Sequence, residues 1–159
     1  MVVHGGLLTN VIWANRIPGT DSRCASCSLV PETTCHVLRD CFRARRVWGA
    51  AMDSRRSQDS FMAEVKEWFL NNLKHDSSND SWPIIFGITC WLIWKWRNSS
   101  IFDEDFTWPH NPKPNVLSLW REIDSVERTC SLLSPSKQNS SVWVSWRPPP
   151  RIIRNSLEG

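Results

Sequence analysis

Cys24-Ala-Ser-Cys27-Ser-Leu-Val-Pro-Glu-Thr-Thr-Cys35-His36-Val-Leu-Arg-Asp-Cys41 is the stretch on which the reading of this chain turns. Four of its residues, Cys24, Cys27, His36 and Cys41, form a C-x2-C-x8-H-x4-C pattern within eighteen residues. A Cys-x-x-Cys pair sets two thiolates on one tight turn, and a histidine and a third cysteine downstream complete a tetrahedron of soft and borderline donors. This donor set predicts a structural Zn2+ ion with every coordination position filled by protein, and no position left for a reacting water. The six cysteines admit other readings. A disulfide framework fits poorly, because the opening Met-Val-Val-His-Gly-Gly lacks the charged and apolar parts of a secretory leader. At 159 residues the chain is also long for a disulfide-stapled fold. A redox pair or incidental cysteines stay open as alternatives, although no βαβ pattern surrounds the Cys-x-x-Cys. Cys35, next to His36, is either a competitor for the metal or a small buried side chain.

The geometry between His36 and Cys41 has a consequence for the backbone. Pro31, Glu32 and Thr33 read as a helix start, with an acidic group near the positive end of the helix dipole. Five residues of regular helix separate two side chains by about 140°, so His36 and Cys41 cannot face one ion from a straight α-helix. A break near Arg39–Asp40 is predicted, with Cys41 at the joint and a second helix from about Phe42 to Met52. Ala44, Val47, Trp48 and Ala51 would face inward, Arg43 and Arg46 outward. Net charge is only +3, but Arg39, Arg43, Arg45, Arg46, Arg55 and Arg56 fall close together against only Asp40 and Asp53. Arginines beside a metal site suit phosphate contacts, so these six are the candidate nucleic-acid-binding residues. A solvated helix face is the plainer account of them.

Away from this segment the signals are helical. Leu7 to Ile17 suggests a short helix with Arg16 exposed. Residues 53–60 read as a polar linker, and Ser60 would cap a helix from Phe61 to Leu73 whose apolar set is Phe61, Val65, Trp68, Phe69 and Leu73. A helix starting at Pro83 and running to about Asn98 is apolar on nearly every side, which predicts a buried central position, with Lys95 and Arg97 complementing its C-terminal dipole. Its most apolar part, Trp82 to Trp94, is too short to span a bilayer. Beyond an acidic, proline-containing loop through Pro114, Val116, Leu119, Ile123, Val126, Cys130 and Leu133 recur at spacings of three and four. That narrow seam can pack on the central helix or on a partner. Trp143 to Trp146 suggests a short strand, and Arg147-Pro-Pro-Pro-Arg151 an extended segment. The eleven tryptophans, with no tyrosine, fall mostly at core positions of these helices, although some could stack on bases.

Cys24, Cys27, Glu32, Thr33, His36, Leu38, Cys41, Val47 and Trp48, in that order, resemble the zinc-binding domain that follows the reverse transcriptase in plant LINE-type retrotransposon polyproteins. Leu8-Thr-Asn10 and Arg16 look like the end of its N-terminal portion. Cys90-Trp-Leu-Ile-Trp-Lys-Trp-Arg-Asn98 with Ile101-Phe102 is similar to the helical spacer of those polyproteins. Val144-Ser-Trp-Arg-Pro-Pro-Pro150 looks like the segment leading into a ribonuclease H domain. The resemblance implies a mainly α fold in three parts. Residues 1–56 are a reverse transcriptase-type zinc-binding module, and 57–134 are a spacer of about three helices. Residues 135–159 are an extended, proline-rich tail at the truncated start of a ribonuclease H-like region. Where that family carries an Asp-Gly pair, this chain has Glu158-Gly159, and one carboxylate cannot hold the two metal ions of in-line phosphodiester cleavage. Nothing resembles a polymerase's paired aspartates. The expectation is therefore a non-enzymatic accessory module, nuclear or cytoplasmic, that contacts RNA or DNA weakly and without sequence preference. A protein-interaction module with purely structural zinc, or a retroelement remnant without function, are the alternatives. Whether the chain acts alone or as an oligomer is left open.

Overall fold

Apolar spacing sets where the helices of this chain form, and polar turns and ligand-bearing loops set where they stop. The computed structural model describes residues 7–51, 64–74 and 81–133. Its elements are α1 (Asn10–Arg16), a π-helical turn (His36–Asp40), α2 (Phe42–Ala51), α3 (Val65–Leu73), α4 (Trp82–Phe102) and α5 (Lys113–Leu133). Among the described residues there is no strand, only an isolated antiparallel bridge between Arg23 and Pro31. The chain is mainly helical, as its patterning predicts.

α4 is the axis. It packs against α2, α3, α5 and the π-helical turn, which is what a helix apolar on nearly all sides requires. It runs four residues past the expected Asn98, to Phe102. Trp48 of α2 is fully buried. Its ring stacks on Phe86 at 5.3 Å and meets Trp68 of α3 edge-on at 5.7 Å and Trp82 at 6.5 Å. Phe69 closes the cluster, 5.6 Å from Phe86. Such edge and offset contacts add about 0.5–1.5 kcal/mol per pair beyond the area they bury. The Trp48 indole is satisfied as well: its Nε1 donates to the Leu38 carbonyl at 2.7 Å, tying the π-helical turn to the aromatic centre. Cys24, Val37, Leu38 and Cys41 belong to the same continuous core as Trp48, Trp68 and Phe86.

Several expectations need correction. α3 begins at Val65, not Phe61: Glu64 is extended at the helix boundary (φ −60°, ψ 150°). Its inward face is Val65, Trp68, Phe69 and Asn72, while Leu73 is half exposed. Asn72 replaces it in the core because its side chain is satisfied there. Its Nδ2 donates to the Trp68 carbonyl at 2.8 Å, and its Oδ1 accepts from Trp82 Nε1 at 3.1 Å. Only the first half of the α5 seam is covered. Val116 is buried and Leu119 and Trp120 pack on the core, whereas Ile123, Val126 and Cys130 are exposed. Phe61, the Trp143–Trp146 segment and the proline-rich tail lie outside the described residues. No described helix is long and apolar enough to cross a membrane.

Candidate metal centre

Two short loops bring the four candidate ligands together. The first is a turn. Cys24 N–H donates to the Val30 carbonyl at 3.0 Å, and Glu32 N–H to the Ser22 carbonyl at 2.8 Å, so the chain doubles back around residues 25–29. Ser28 closes this turn in the left-handed region (φ 54°), its N–H donating to the Cys24 carbonyl at 2.8 Å. That backbone state is uncommon for a non-glycine residue, and serine accepts it here because the turn must present Cys24 and Cys27 to the same side.

The second loop is the π-helical turn. Thr33 caps its first residues, its Oγ1 accepting from the His36 N–H at 3.1 Å, as a threonine before a helix does. The chain then widens to i→i+5 bonding, and Cys41 N–H donates to the His36 carbonyl at 2.8 Å. This widening is how the backbone resolves the 140° problem: a turn closed five residues on sets residue i+5 above residue i, so His36 and Cys41 look the same way. Immediately afterwards Cys41 turns extended (φ −60°, ψ 142°) and α2 starts at Phe42. The break falls at Cys41, the expected joint, and not at Arg39–Asp40, which stay helical in the wider form.

The result is compact. Cys27 Sγ lies 3.4 Å from His36 Nε2 and Cys24 Sγ lies 3.9 Å from Cys41 Sγ. All four donor atoms lie within 4.8 Å of one another, close enough to hold a metal ion. Cys24, His36 and Cys41 are buried and Cys27 is half-buried. Cys35 stands apart, its thiol donating to Asp40 Oδ2 at 3.3 Å, and it is not one of the clustered donors. Backbone N–H groups support two of the sulfurs: those of Ser26 and Cys27 point at Cys24, and those of Arg43 and Ala44, at the start of α2, point at Cys41. Cys41 thus occupies the capping position of α2, where N–H dipoles favour a thiolate.

Cys24 and Cys41 lie within sulfur hydrogen-bonding distance, 3.9 Å apart. The hydrogen bond to Cys41, with burial, pushes the Cys24 thiol up to about 12. Donation from Cys24 brings Cys41 down to about 7. A metal ion binds thiolates, so its entry at neutral pH releases the Cys24 proton together with that of any other protonated ligand. As pH falls through about 7 Cys41 gains a proton that the ion must also displace. The apparent affinity is therefore expected to fall faster below pH 7 than above it. Competition titrations with a chromogenic chelator from pH 8 to pH 5.5 would measure this; a dependence that does not steepen below pH 7 contradicts the lowered Cys41 pKa.

The arginines are dispersed. Arg39 is buried, its Nε on Asp40 Oδ1 at 2.8 Å and its guanidinium 5.7 Å from the Trp68 ring centre. It is a structural side chain, not a phosphate contact, because α3 covers it. The guanidinium of Arg43 lies over the rings of Phe42 (4.8 Å) and Trp108 (5.5 Å). Arg46 is exposed and donates to the His110 carbonyl at 2.7 Å. Arg45 is exposed. Burial pushes the Asp40 carboxyl up, but hydrogen bonds from Arg39 and Cys35 and the charges of Arg39 and Arg45 together hold it below the usual range. Arg55 and Arg56 lie outside the described residues.

The centre's main support was not anticipated. Glu32 does not serve the helix dipole. It is almost fully buried and paired with Arg97, which points into the core and does not cap α4. Glu32 Oε1 accepts from Arg97 Nη2 and from the Asn10 N–H at 2.9 Å, and Arg97 Nη2 also donates to Asn10 Oδ1 at 2.9 Å. The cluster locks α1, the ligand-bearing loop and α4 together. One signal was available: at helical spacing Arg97 falls four residues after Ile93, on the core face of α4.

In sequence, an 84-residue stretch covering 52% of the chain is 36% identical to an Arabidopsis thaliana protein provisionally named a ribonuclease H protein. The chain spans only 14% of that relative's length. No family model matches the chain, and no solved structure matches it.

Proposed function

We propose that the chain is a zinc-clamped, non-catalytic accessory module of retrotransposon origin that contacts single-stranded nucleic acid weakly. The observation that carries this reading is the convergence of Cys24, Cys27, His36 and Cys41 within 4.8 Å. Two of the donor separations suit a tetrahedral ion with zinc's bond lengths. A tetrahedral ion with sulfur at about 2.3 Å and nitrogen at about 2.0–2.1 Å holds S···S near 3.8 Å and S···N near 3.6 Å. The corresponding separations here are 3.9 Å and 3.4 Å. Four protein donors leave no position for a substrate, which supports a scaffold role. Similarity to a protein named for ribonuclease H supports the retroelement origin. The zinc would supply rigidity, holding the outer face of α2 in place.

That face, with Arg45, Arg46 and the half-exposed Phe42, offers two cations and a stacking surface. With so few phosphate contacts the attraction is small. On single-stranded RNA, log affinity should fall with log salt at a slope of about −1.4, or about −0.7 per phosphate neutralised. Arg46→Gln should reduce the slope by about half. Anisotropy of a labelled oligonucleotide on the zinc-loaded chain measures both. No binding at low salt ends the nucleic-acid part of the reading, and elemental analysis of the purified chain decides the metal part separately.

A further inference from the structure

The outer half of α5 is a different kind of surface. Its apolar seam continues past the core, with Ile123 44% and Val126 67% exposed. Beside it, Ile84, Ile88 and Trp91 of α4 form with Leu119 and Ile123 an open apolar groove. On α5 the seam's flanks carry one sign of charge, while at the α4 end of the groove Lys95 Nζ lies over the Trp91 ring, 5.0 Å from its centre. At about 100° per residue, Glu122 and Glu127 fall on either side of the Ile123–Val126 line, and Arg121 and Arg128 on the opposite face of the helix. A shallow apolar recess runs between those two glutamates. Arg128 is held away by Asp124, 2.9 Å distant.

We propose that this seam docks a basic amphipathic helix of a partner protein: apolar anchors at spacings of three and four, with lysine or arginine on both flanks. The charge arrangement selects the occupant. A second copy of the chain would bring its own Glu122 and Glu127, and in a parallel or an antiparallel pair carboxylate would meet carboxylate along both edges. A basic helix meets an acidic edge on each side while its anchors fill the groove. This surface lies outside the metal centre and does not depend on the nucleic-acid reading.

The probe is a synthetic helix of about three heptads with leucine at a and d and lysine at e and g; its twin has glutamate at e and g. Anisotropy on the full zinc-loaded chain should show the lysine peptide binding at least about tenfold tighter than its twin. Val126→Gln, which removes an apolar anchor without changing the charge at a position too exposed to disturb folding, should weaken it by at least about tenfold with an unchanged melting curve. Equal binding of the two peptides, no binding of the lysine peptide, or indifference to Val126→Gln overturns the proposal. So does sedimentation showing a dimer that Val126→Gln dissociates, since a second copy would then hold the seam.

Discussion

Glu32→Ala is expected to destabilise the protein by about 3–5 kcal/mol, the range for removing one partner of a buried ion pair. The loss has two parts. Arg97 would remain in the core with its positive charge uncompensated, and the Asn10 N–H at the start of α1 would lose its acceptor. Arg97→Ala should fall in the same range, because it strands the carboxylate instead and also removes the guanidinium from over the Trp94 ring, 5.1 Å away. Replacing both residues with leucine should recover most of the deficit, since a buried pair exchanged for apolar groups of similar size is often neutral. Urea denaturation of the parent and the three variants measures these differences. Single substitutions costing under about 1 kcal/mol would mean that the pair is effectively solvated. The effect should reach the metal centre: Glu32 lies in the loop between Cys27 and His36, so its release should weaken metal binding although no ligand is touched.

Metal removal is expected to be larger still. Structural zinc contributes on the order of 10–16 kcal/mol to folding in zinc-finger peptides near neutral pH. In this chain a bound ion would also hold open a π-helical turn, a form that occurs only in short pieces. A strong chelator, or Cys41→Ser, should therefore unwind residues 24–41 first, with loss of amide protection there. The aromatic centre should feel it next. Trp48 Nε1 donates to the Leu38 carbonyl inside that turn, so the near-ultraviolet dichroism of the tryptophans should change even while α4 stays helical. Cys35→Ser is the control, since its thiol is engaged with Asp40 and stands outside the donor cluster. Unchanged exchange in residues 24–41 after chelation would show that the turn holds its shape without the ion.

Local features were legible before the structure because their causes are local. The ligands lie within eighteen residues, so spacing alone brings them to one site, and the angular conflict between His36 and Cys41 announces an irregular backbone between them. What form the irregularity takes was not legible. A break and a widened turn both satisfy the ligands, and the Trp48 bond to Leu38 holds the turn helical. α4 was legible as the centre because it is apolar on nearly every side, and between Pro83 and Asn98 only the stripe of Gly87, Trp91 and Lys95 is exposed. Arg39 misled because an arginine looks the same in sequence whether α3 covers it or solvent does. Leu73 misled because Asn72 completes a hydrogen-bonded pair with Trp82 that only assembly creates.

By itself the sequence determined the donor set, the helical class and the central helix, since these depend on residue type and short-range periodicity. The tertiary structure decided the rest: that Glu32 and Arg97, 65 residues apart, form one buried ion pair, that ligands and tryptophans occupy one core, and that half of the α5 seam is left uncovered. The reason is common to all three. Burial and pairing depend on what other segments bring to a residue, and neither spacing nor propensity along the chain carries that information.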